Sequence, residues 1–137
     1  MRPGLETVKR ANHRHPFGGE VMGEHAHYKV EPPSGGYKVE KREVVAQVPN
    51  LRMVILTLAQ GQEVPWHYHS QIIDTFFCME GPMVIHTREP AGHVELAAGQ
   101  SYAIPAGKAH RVTGAAGGRC KFALLQGVGT YDFHPVR

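Results

Sequence analysis

The chain has 137 residues, 42% of them hydrophobic, and a formal net charge of +3. That length and composition suit one domain with a buried core, are too short for two ordinary domains, and argue against general disorder. No basic stripe stands out, no apolar run nears the roughly 20 residues that cross a bilayer, and the N-terminal residues lack the apolar core of a secretion signal, so neither nucleic acid nor membrane is an expected partner.

Residues 1–43 are polar, rich in Gly, Pro and His, and weakly patterned; they read as an extended N-terminal arm. From position 44 onward, short β-branched runs alternate with turn residues. Val44–Val48 and Leu51–Ala59 are strand-like and joined at Pro49-Asn50. After a Gly61-Gln62 turn, Val64–His69 is extended, and Thr75–Met79 follows, closed by Gly81-Pro82. Met83–Arg88 and His93–Leu96 flank Glu89-Pro90-Ala91-Gly92, a hairpin signal. Ser101–Ile104, Arg111–Thr113 and Arg119–Gln126 complete the series, and residues 131–137 form a tail expected to cover one end. Strand-sized runs with turn signals every ~8–12 residues predict an all-β sandwich or barrel over 44–130. Cys78 and Cys120 have no Cys-x-x-Cys spacing and read as buried, reduced thiols of a cytoplasmic protein.

The chemistry concentrates in residues 61–81. Alternation along a strand points His67 and His69 one way, and Trp66 and Tyr68 the other. Imidazoles at i and i+2 lie about 6.5–7 Å apart along the strand, close enough to share one ion. Asp74 follows a short connection, on the face that Phe76 and Cys78 also occupy, and His110 opens another strand after the Pro105-Ala106-Gly107 turn. Three imidazoles and a carboxylate suit a divalent transition metal (Fe, Mn, Ni, Co or Zn). Phe76, Cys78, Phe122 and Leu124 are the expected wall of an adjoining pocket. A second pair, His25 and His27 with Glu31, sits beside Pro32-Pro33-Ser34-Gly35-Gly36, turn-formers that do not continue a strand, so a solvated arm is the expected setting there.

These spacings resemble the cupin superfamily. Its first motif matches Gly61, His67, His69, Asp74 and Gly81, with Asp74 where glutamate is usual. Its second matches Gly99, Pro105, Gly107 and His110, with Gly114 where asparagine is usual. The resemblance covers roughly 44–130. It implies a double-stranded β-helix, or jelly-roll barrel, with His67, His69, Asp74 and His110 as metal ligands, and a homodimer to which the arm adds a strand. Asp74 is one methylene shorter than glutamate, so it either ligates or serves as a nearby base.

Two kinds of function follow from the resemblance. One is a metal-dependent enzyme on a small oxygenated molecule, either dioxygenase-like or an isomerase or lyase. The other is a non-catalytic sensor or carrier that uses the metal to dock its ligand. No helix-turn-helix, nucleophile elbow, P-loop or Rossmann fingerprint is visible to choose a different class.

Overall fold

The computed structural model describes residues 29–30 and 36–137. The expectations for His25, His27 and Glu31, and for most of the arm, lie outside these residues. Eleven strands follow in chain order. β1 (Lys29–Val30), β2 (Lys41–Val48), β3 (Leu51–Leu58), β5 (Ile73–Glu80), β8 (Ser101–Ile104) and β10 (Cys120–Gly127) build one sheet, in the order β1-β2-β3-β10-β5-β8. β4 (Glu63–Tyr68), β6 (Met83–Thr87), β7 (Gly92–Leu96), β9 (His110–Gly114) and β11 (His134–Pro135) build the other, in the order β11-β4-β9-β6-β7. Every pairing is antiparallel. The protein is an all-β jelly roll, and a single 3-10 turn at Ala115–Gly117 is the one helical element among the described residues.

The period-two pattern explains why these runs pair this way. Val54, Leu56 and Leu58 on β3, Phe76 and Cys78 on β5, and Phe122 and Leu124 on β10 face the other sheet and are buried. Val64, Met83, Ile85, Leu96 and Val112 meet them from the five-stranded side. Each such side chain contributes about 1.5–3 kcal/mol by leaving water, so a one-residue slip in register would expose a whole row. Cys78 and Cys120 are buried free thiols. Among the described residues, no helix is long and apolar enough to cross a membrane.

Of the three register shifts among the described strands, the one in β4 bears on the site. Strand β4 slips register against β9 between Val64 and His67. Both residues point inward although they are three apart, because the extra residue lets the strand turn over. Pro65, which has no N–H to give a ladder, sits at that slip. Trp66 is thereby turned outward, where the Arg88 guanidinium lies 4.1 Å from its ring centroid.

Candidate metal centre

The site forms at one mouth of the jelly roll, where both sheets contribute. In the register of β4 with β9, His67 lies opposite His110. His69 follows just after β4, and its carbonyl accepts the Gly107 N–H at 2.7 Å. That contact depends on a tight turn in which Gly107 has φ +83°, a conformation that favours glycine. Asp74 comes from the opposite sheet, on β5, and pairs with Gln126 of β10. One ligand atom from each of His67, His69, Asp74 and His110 can be chosen so that all lie within 4.8 Å of one another. All four residues are buried.

The hydrogen bonds decide which nitrogen of each imidazole faces inward. Nδ1 of His67 lies 2.8 Å from the Pro65 carbonyl, Nδ1 of His69 2.6 Å from that of Asp132, and Nδ1 of His110 2.9 Å from that of Lys108. A carbonyl oxygen only accepts, so each Nδ1 donates, and a neutral ring then turns the Nε2 lone pair toward the others. Nε2 of His69 and Nε2 of His110 stand 3.1 and 2.9 Å from Oδ2 of Asp74. A neutral Nε2 and a carboxylate both accept. Those contacts therefore need a shared proton or a metal ion among them. The residues present fit a divalent metal on this ground.

The electrostatics describe the metal-free cluster, with a proton in that place. Burial opposes ionisation of Asp74, but hydrogen bonds from His110 and His69 outweigh it and hold the carboxyl well below its usual range. Burial, with the nearby His110, lowers His67 to about 3, so that ring stays neutral. Burial alone would lower His69 as well, but the hydrogen bond and charge of Asp74 raise it.

The surroundings extend beyond the four residues. Gln126, buried on β10, donates from Nε2 to Oδ1 of Asp74 at 2.8 Å. Its Oε1 is buried without a partner. The tail closes the mouth: the Phe133 ring stacks on His67 at 4.5 Å between centroids, and Tyr131 lies 5.3 Å from His69. Burial, helped by nearby Tyr37, pushes the Tyr131 hydroxyl up to about 12, and Arg52 and Arg42 act on it in the opposite direction. Asp132 is tied to Ser70 through the Ser70 N–H at 2.8 Å and the Ser70 hydroxyl. The enclosed cavity has a volume of about 10 Å³, room for an ion or a single water but for no organic molecule beside it.

Of the expected pocket residues, Phe76 and Leu124 line this cavity. Cys78 and Phe122 do not. They pair with each other one inward step farther along β5 and β10, and are packed in the core instead. The sequence reading passed over Gln126, Tyr37 and Arg42, which also line it. Gln126 carried a usable signal: it shares the inward parity of Phe122 and Leu124, where a polar residue is unusual. Tyr37 and Arg42 carried none, because strand pairing beyond position 44 gives no hint that the end of the arm folds over the mouth.

No curated protein matches this chain. Similar folds occur among solved structures. A double-stranded β-helix protein from Klebsiella pneumoniae subsp. pneumoniae is 22% identical, over 79% of this chain and 90% of that one, with a TM-score of 0.61. KdgF from Halomonas sp. is 18% identical over 85% and 94% of the two chains, with a TM-score of 0.58. A mutant of Bacillus subtilis oxalate decarboxylase OxdC gives a TM-score of 0.64 at 13% identity, over 77% of this chain and 30% of that one. The Cupin domain family matches residues 54–126, which hold both motifs and all four clustered residues, and the chain belongs to that family.

Proposed function

We propose that the protein is a metal-dependent enzyme acting on a small oxygenated molecule, with one divalent transition metal (Fe, Mn, Ni, Co or Zn) held by His67, His69, Asp74 and His110. The observation that carries this reading is the facing of Nε2 of His69 and Nε2 of His110 onto Asp74 Oδ2, with every Nδ1 already committed to a carbonyl. A divalent ion bound there would act as a Lewis acid on a substrate oxygen or lower the pKa of a bound water. Asp74 is better placed as a ligand than as a base, since Oδ2 faces the imidazoles and Gln126 occupies Oδ1. Tyr131 and Phe133 exclude water, and Val64, Phe76 and Val112 give the site a low-dielectric wall that strengthens its electrostatics.

Metal content of the purified protein tests the reading. Stoichiometric metal that is lost in His67→Ala supports it. Stoichiometric metal that survives in His67→Ala, His69→Ala and His110→Ala alike would refute it. Turnover that needs both iron and dioxygen would assign the dioxygenase branch; anaerobic turnover with zinc or manganese would assign the isomerase or lyase branch.

We also infer a cytoplasmic homodimer. Two buried free thiols suit a reducing compartment, and Ile73, Phe77 and Met79 leave an apolar row on the outer face of β5. Light scattering that gives the mass of one chain would remove the dimer.

A further inference from the structure

Two guanidinium groups at the mouth have no carboxylate partner among the described residues. Arg42 faces inward on β2 opposite Leu56, is 3% exposed, and lines the cavity beside the candidate metal ligands. Arg52 shares the inward face of β3 with Val54 and lies opposite Gln126, the residue bonded to Asp74. The Nε of each is buried and makes no hydrogen bond.

What they do touch is aromatic. Arg42 donates from Nη2 to the Tyr37 hydroxyl at 3.1 Å. Arg52 lies 4.8 Å from the Tyr131 ring centroid. A neutral hydroxyl and a ring face are weaker partners for a guanidinium than a carboxylate, which can take two parallel N–H bonds. A buried cation without its counter-ion is a costly arrangement that a bound anion would relieve.

The charge balance points the same way. Asp74 is the one carboxylate among the described residues that line the cavity. Its single negative charge stands against Arg42 in the same lining and Arg52 behind Tyr131, and a bound divalent ion would leave the mouth with a larger positive excess still.

We infer that Arg42 and Arg52 form a carboxylate-binding subsite, and that the ligand of this protein is a small organic acid whose carboxylate rests on these guanidinium groups while a second oxygen faces the histidine cluster. Its carboxylate takes the place now held by the Tyr131 ring, which swings away because the closed cavity leaves no other room. The inference deepens the metal-enzyme reading and rests on it for the second oxygen; the anion site rests on the two arginines.

Arginine Nε–H signals of the isotope-labelled protein provide the test. Acetate, glycolate, oxalate and succinate are titrated at millimolar concentration, each beside its neutral amide. At least one acid is expected to move the Arg42 or Arg52 Nε–H signal saturably while its amide does not. Arg42→Lys, which keeps the charge but lacks the fork, should weaken that binding by at least about tenfold. Arg52→Met, at a less buried position, supplies a second variant with the same expectation. No shift with any of these acids, equal binding of the amides, or unchanged affinity in both folded variants overturns the inference. Metal content measured on the same samples separates the two readings. Acid binding without stoichiometric metal keeps the anion site and removes the metal enzyme; stoichiometric metal without acid binding does the opposite.

Discussion

Gln126 offers a sharp test of how the centre is held, because its two amide atoms pull in opposite directions. Nε2 donates to the ionised Asp74 at 2.8 Å; losing a hydrogen bond to a charged group costs about 1.5–3 kcal/mol. Oε1 is buried without a partner; removing an unsatisfied buried acceptor returns about 1–3 kcal/mol. Gln126→Leu should therefore leave the stability of the metal-free fold within about 1 kcal/mol of the parent. It should nevertheless free Asp74 to rotate, and losing a partner of that kind lowers metal affinity by about 10–100-fold. Urea midpoints of chelator-treated protein measure the first quantity, and competition against a chromophoric chelator measures the second. A variant with unchanged metal affinity would refute the positioning role, and one destabilised by several kcal/mol would refute the cancellation.

In the metal-free protein, His67 is held at about 3 against 6.5 in the unfolded chain. The unfolded chain gains a proton below 6.5 that the folded one refuses, so this contribution to stability is present above 6.5 and is lost as pH falls toward 3. The unfolding free energy from urea melts should drop by about 1.4 kcal/mol per pH unit within that window, and a flat profile would contradict the burial of a neutral ring. Asp74, held below its unfolded value of 3.8, steepens the loss once pH falls under about 4. Burial raises both thiols, Cys120 to about 12, so iodoacetamide at neutral pH should label them slowly in the native protein and rapidly in denaturant. A Cβ at Gly114 would collide with the Gly118 carbonyl oxygen. Gly114→Ala should cost about 1–3 kcal/mol in a thermal or urea melt, and an unchanged melt would mean that the Ala115–Gly117 turn relaxes freely.

The all-β class was legible because each strand repeats its burial every second residue and each turn is marked by Gly or Pro. The shared face of Asp74, Phe76 and Cys78 follows from that parity alone, and burial in the folded chain agrees with it. How far along the strand a residue sits was not legible. Cys78 and Phe122 have the right parity but lie in the row below the cavity. The bulge that turns Val64 inward along with His67 was announced only by Pro65. Arg42 and Arg52 come to the mouth through pairing between β2, β3 and β10, and no local pattern reports a partner that distant in sequence.

The carbonyl that orients His69 belongs to Asp132, in the tail, while β11 pairs with β4 at His67. Docking of the tail and binding of an ion at the four-residue cluster thus share the same imidazoles. By linkage, whatever factor the docked tail adds to ion affinity, the ion must return to tail docking. An ion-loaded protein would then protect the peptide bonds around Tyr131 from proteases, and cutting there would loosen the ion by the matching factor.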